Sequence, residues 1–124
     1  MPVTRISNES LDKILKGEIK ENSTCVLKFY SNDCHLCHSL SDYFTEISEE
    51  DEYSDLHFLA CNVADCPGIE EKLKFNGVPT IFVIHTNMGN RRPTMRLLPE
   101  PEKPNEKTWY KVSDIKNFIN KEAL

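Results

Sequence analysis

Cys34-His35-Leu36-Cys37 carries the two residues of this chain best suited to chemistry, a pair of thiols separated by two residues. The pair follows an apolar run, Cys25 to Tyr30, and a turn cluster, Ser31-Asn32-Asp33. It opens a segment in which Leu36, Leu40, Tyr43, Phe44 and Ile47 recur at helical spacing. Cys34 therefore sits at the mouth of a helix and Cys37 about one turn inside it. Free backbone N–H groups and the helix dipole favour negative charge at that point. The thiolate is the attacking species, and such placement lowers a cysteine pKa from about 8.5 into the range ~3.5–7.5. Cys34 is the expected attacking thiol, and Cys37 the one that resolves a mixed disulfide.

The elements that must hold this pair read as follows. Val3 to Ile6 is a short strand, and Ser7 caps a helix carrying Leu11, Ile14 and Leu15 that stops at Gly17. The strand Cys25–Tyr30 and the cysteine helix come next, then a buried strand, Leu56 to Val63. Pro67-Gly68 leads a short helix carrying Ile69, Leu73 and Phe75, broken by Asn76-Gly77. Thr80 to His85 is a β-branched strand, Asn87 to Asn90 a hairpin loop, and Thr94 to Leu98 the returning strand. Pro99 to Lys107 reads as an exposed loop, and Ser113 as the cap of a last helix bearing Ile115, Phe118 and Ile119. The order βαβαβαββα predicts an α/β fold with helices on both faces of a partly parallel sheet. Neither repeats nor a linker appear, so residues 1–124 read as a single domain.

A second motif, Gly77-Val78-Pro79-Thr80, opens the most apolar strand. With it the chain resembles the thioredoxin family. The matching pieces are Val26-Leu27-Lys28-Phe29-Tyr30, the Cys34–Cys37 motif, the Gly77 to Thr80 turn and a closing helix from Asp114. The resemblance implies a three-layer sandwich with a central mixed sheet. It implies thiol–disulfide oxidoreductase activity through Cys34 and Cys37, with no bound cofactor. It also implies a cis Pro79 beside the sulfurs, and a Val78 backbone that receives an extended substrate peptide. The implied partners are disulfide-containing client proteins and an electron donor of the thioredoxin-reductase type.

Four residues are candidates for tuning the pair. Asp33 stands where the family usually has Trp, and a carboxylate there opposes thiolate formation. His35, and with it His38, would favour the thiolate when cationic. Lys28 aligns with the family's buried carboxylate, which serves proton transfer to the second cysteine. A lysine does that work only with a strongly lowered pKa, and otherwise snorkels to the surface.

The remaining cysteines divide by context. Cys25 and Cys61 lie in apolar strands and read as core residues, while Cys66 precedes Pro67 in a turn and reads as exposed. Arg91, Arg92 and Arg96 form a basic patch on the hairpin, and Trp109 and Tyr110 cover the sheet edge. Two rival functions use the same residues. Cys34, Cys37, Cys61 and Cys66 form a possible zinc set, and Cys34 to His38 matches the haem-attachment string C-x-x-C-H. A non-catalytic interaction module of the same fold is the third. The net charge of -5 argues against nucleic-acid binding, and no stretch is long and apolar enough to cross a membrane. With no leader pattern in Met1 to Ser10, the expected location is the cytoplasm and the expected state a monomer.

Overall fold

The computed structural model describes residues 3–89 and 91–124. Its elements run β1 (Val3–Arg5), α1 (Asn8–Leu15), β2 (Thr24–Tyr30), α2 (His35–Ser48), β3 (His57–Asn62), α3 (Ile69–Leu73), β4 (Thr80–His85), β5 (Thr94–Leu97) and α4 (Val112–Glu122). The sheet order is β1-β3-β2-β4-β5. β1, β3 and β2 are parallel, whereas β4 runs antiparallel to β2 and β5 antiparallel to β4.

Alternation along β2 divides the core into two layers, because successive strand side chains point to opposite faces. Val26 faces the layer that α2 and α4 cover, together with Leu40, Phe44, Ile115 and Ile119. Cys25, Leu27 and Phe29 face the other, with Leu11 and Ile14 of α1 and Ile69 of α3. Helices thus lie on both faces of a mixed sheet. Phe29 is fully buried in the second layer, its ring 4.9 Å from Phe75 and 5.9 Å from Phe82.

The helices depart from expectation in one buried face and two boundaries. Tyr43 is 44 % exposed, so the buried face of α2 is the narrower stripe Cys37, Leu40, Phe44 and Ile47. α3 ends at Lys74, whose left-handed backbone (φ 60°) stops it before Asn76-Gly77; Phe75 lies beyond the helix and is buried all the same. α4 is capped at Lys111 rather than Ser113: the Lys111 N–H donates to the Asp114 carboxylate at 3.0 Å. The hairpin loop is seen through Gly89, and Asn90 lies outside the described residues. Within 99–107 the chain is irregular except for a bridge from Asn105 to Trp109.

One register positions everything that follows. Phe29 pairs with Thr80 across the antiparallel β2–β4 ladder. The start of β4 therefore lies beside the end of β2, and Val78-Pro79 beside the turn that delivers Cys34. Phe29→Ala is expected to cost about 3–5 kcal/mol in urea unfolding, through lost burial and an unfilled cavity. Tyr43→Ala should stay within roughly 0.5 kcal/mol of the wild type.

Candidate functional site

β2 ends at Tyr30, and the turn 31–33 swings the chain over the sheet into α2, a 14-residue helix. Cys34 is its N-cap, with extended backbone (φ -92°, ψ 101°), and its Sγ accepts the Cys37 N–H at 3.0 Å. This is the place in a helix where Ser, Thr or Asp normally satisfies a free amide. A thiolate occupies it better than a thiol, because a charged acceptor strengthens the bond and the dipole adds to it. Cys34 and Cys37 are joined as a disulfide with Cα atoms 5.2 Å apart. Cys34 is half-buried and Cys37 only 2 % exposed, so the first sulfur is the more accessible of the two.

Across the gap, the Val78 carbonyl oxygen lies 3.7 Å from Cys34 Sγ, and the Val78–Pro79 peptide bond is cis. Thr80 anchors this turn by donating its hydroxyl to the Gly77 carbonyl at 2.7 Å. A groove of about 250 Å³ runs alongside, bordered by Leu36, Val78, Pro79, Glu100 and Trp109. The last two come from the segment between β5 and α4. They are the functional candidates that the sequence reading missed, since Trp109 was assigned to the sheet edge and the loop to no role. Trp109 holds a left-handed backbone (φ 65°), uncommon for a bulky side chain. Reciprocal backbone bonds with Asn105, both 2.9 Å, keep it there.

The tuning candidates separate. His38 donates from Nε2 to the Asn32 carbonyl at 2.8 Å, and the Asn62 amide donates to Asn32 Oδ1 at 2.9 Å. The turn before Cys34 is therefore tied to α2 and to the end of β3. Asp33 and His35 are exposed. Lys28 does not snorkel: it is 5 % exposed, with Nζ 5.0 Å from the Phe44 ring centre and 5.7 Å from that of Tyr30. Burial pushes its amine down to about 8. Lys28 and Cys37 line one cavity of about 310 Å³, with Arg5, His38 and Ser41 also on its wall.

Cys25 is buried as expected, and burial raises its thiol to about 11. Cys66 overturns its expectation. It is 1 % exposed, because the 3-10 turn at 63–65 folds it back over the end of β3. Arg96 of the basic patch pairs with Glu122 at 3.5 Å. Among the described residues, no group of three or more His, Cys, Asp or Glu side chains is placed to hold a metal ion, because the four thiols form two separate pairs. No described helix is long and apolar enough to cross a membrane.

A family model described as Thioredoxin matches residues 3–94. Thioredoxin-3, mitochondrial, of Saccharomyces cerevisiae is 30 % identical over 66 residues, which cover 53 % of this chain and 50 % of the yeast protein. The match thus spans about half the length of that relative. Trichomonas vaginalis thioredoxin superposes with a TM-score of 0.66 at 20 % identity, over 97 % of this chain and 96 % of that one. A chain of the ferredoxin:thioredoxin reductase and thioredoxin f2 complex gives 0.68 at 20 % identity, over 96 % and 93 %.

Lys28 has a measurable thermodynamic signature. Its folded pKa lies below the unfolded value, so the native state carries the burial penalty in full below about pH 8. The penalty fades as pH rises from about 8 towards the unfolded value of 10.5. Lys28→Met is expected to stabilise the fold by about 1–3 kcal/mol at pH 7, cation–π attraction offsetting part of the gain. By pH 10 most of that difference should be gone. Urea unfolding at the two pH values checks it, and a gain independent of pH would contradict the buried-cation account.

Proposed function

The chain belongs to the thioredoxin family, and on that premise we propose that it reduces or exchanges protein disulfides through its Cys-His-Leu-Cys dithiol. The observation that carries this reading is the seat of Cys34 Sγ, which takes the Cys37 N–H at the head of α2 and faces the Val78 carbonyl. In the reduced protein the Cys34 thiolate attacks one sulfur of a client disulfide. A Cys34–client bond forms, the client S–S bond breaks, and the departing thiolate takes up a proton. Cys37 then gives up its proton and attacks Cys34 Sγ. The Cys34–Cys37 bond forms and the second client sulfur leaves as a thiol, so two electrons have passed to the client.

Cys37 needs a proton acceptor for that second step. Lys28 borders the same cavity, and an amine held near 8 has a neutral form within reach at physiological pH. It stands where relatives carry a carboxylate, and it performs the same transfer with opposite charge bookkeeping: the amine is neutral before the step and cationic after it.

The client segment lies extended in the groove beside Pro79, with the Val78 backbone as its pairing edge and Leu36 and Trp109 as apolar walls. The dithiol is restored by a reductase of the thioredoxin-reductase type. A structural neighbour comes from a complex whose name pairs ferredoxin:thioredoxin reductase with thioredoxin f2, which makes such a donor the natural candidate. This reading takes 1–124 as one domain acting as a monomer, in a reducing compartment such as the cytoplasm. The odd count of five cysteines, which fits a fully paired disulfide scaffold poorly, supports that setting.

Cys37→Ser should trap a mixed disulfide with a protein client and lower multiple turnover at least about 100-fold, whereas Cys34→Ser should trap none. Normal turnover by Cys37→Ser would sink the two-thiol scheme and favour the interaction-module reading. Trp109→Ala should raise the KM for a protein disulfide several-fold while leaving the rate with a small-molecule disulfide unchanged. Equal losses on both substrates would remove the groove from substrate recognition.

A further inference from the structure

Cys61 and Cys66 are two of the three cysteines that the proposed reaction leaves unused. They are 0 % and 1 % exposed, five residues apart, and their Sγ atoms approach to 3.0 Å. That is closer than two sulfurs in ordinary van der Waals contact, and it brings two thiols to a single local movement from bonding. We propose that Cys61 and Cys66 form a second dithiol of this chain, which a peroxide oxidises to an intramolecular disulfide.

Access and charge select the oxidant. Cys66 borders a cavity of about 410 Å³ whose wall includes Gly68, Glu70 and Glu71. A small neutral peroxide enters such a space, while two carboxylates at its wall disfavour an anionic oxidant such as oxidised glutathione. Cys61 is fully buried. Burial and the hydrogen bond with Cys66 push its thiol up, so the order of attack is set by access to the cavity. Cys66 therefore reacts first. Its thiolate attacks one peroxide oxygen, an S–O bond forms, the O–O bond breaks, and the leaving hydroxide takes a proton to become water. Cys61 Sγ, adjacent and giving up its proton, then attacks the Cys66 sulfenic sulfur. The S–S bond forms, the S–O bond breaks and a second water leaves. Two thiols and one peroxide become one disulfide and two waters.

The segment so closed bears on the Cys34 turn. Residues 62–65 lie between the two sulfurs, and Asn62 at their head donates to Asn32, two residues before Cys34. Asp65 at their tail pairs with Arg5 at 3.0 Å. A disulfide across them fastens the support of the turn without touching either Cys34 or Cys37.

The test uses the full chain carrying Cys34→Ser and Cys37→Ser, so that its outcome is independent of the oxidoreductase reading. The protein is treated with hydrogen peroxide, unfolded, alkylated with N-ethylmaleimide and digested with trypsin. The peptide holding Cys61 and Cys66 should lose both alkylation sites and weigh two hydrogens less, and dithiothreitol should restore both sites. Cys25 should remain fully alkylated. With Cys61→Ser added, the lighter species should vanish and dimedone should capture a sulfenic acid on Cys66. Should the serine variant fail to fold, chymotrypsin cleavage after Phe44 and Phe58 separates the two cysteine pairs of the wild type for the same measurement. Two alkylated thiols after peroxide, over-oxidation of Cys66 with Cys61 present, or a bridge to Cys25 would each overturn the proposal.

Discussion

The pairing of β2 with β4 in antiparallel register is the constraint on which this molecule turns. Strands β1, β3 and β2 run one way and deliver their C-terminal ends to one edge of the sheet. β4 runs the other way and delivers its N-terminal end to that edge. Cys34, arriving from β2, and Val78-Pro79, leading into β4, thus meet although 44 residues separate Cys34 from Val78. A one-residue slip of the ladder would move Pro79 away and turn every core side chain of β4 to the wrong face. The apolar run 81–84, buried on both faces, fixes the register, so the packing that stabilises the sheet also aims the site.

Lys28 shows how far position can override residue type. Strand alternation puts it on the α2 face between Val26 and Tyr30, a place an apolar side chain would fill at lower cost. The aromatic faces of Phe44 and Tyr30 provide a partial counter-environment, which weakens the charge's isolation without neutralising it. That amine stands on the wall of the cavity it shares with Cys37, where the proposed reaction has a use for it.

Much of this was legible in the sequence. The apolar run of β2, the β-branched run of β4 and the spacing of Cys34 and Cys37 each follow from local rules, and together they imply the layers and the redox pair. What escaped involved contacts that no local rule contains. Cys66 looked exposed because Pro67-Gly68 marks a turn, but the turn folds inward and sets its sulfur against that of Cys61. Ser113 looked like a cap, yet Asp114 caps from within the helix by reaching back to Lys111. For Lys28 the sequence leaves two readings open, a strongly lowered pKa or a reach to solvent, and only the fold shows Phe44 and Tyr30 flanking its amine. Trp109 was read as edge cover, and only the fold brings it to the groove beside Pro79.

Trp109 is also the one tryptophan in the chain. Indole emission depends on local polarity and is quenched by nearby sulfur, and this indole forms a wall of the groove that leads to the cysteine pair. The protein therefore carries a built-in optical probe: a segment settling into the groove changes the solvent around the fluorophore, with no label attached. Occupancy of that groove is thus written into the emission of a residue the chain already carries.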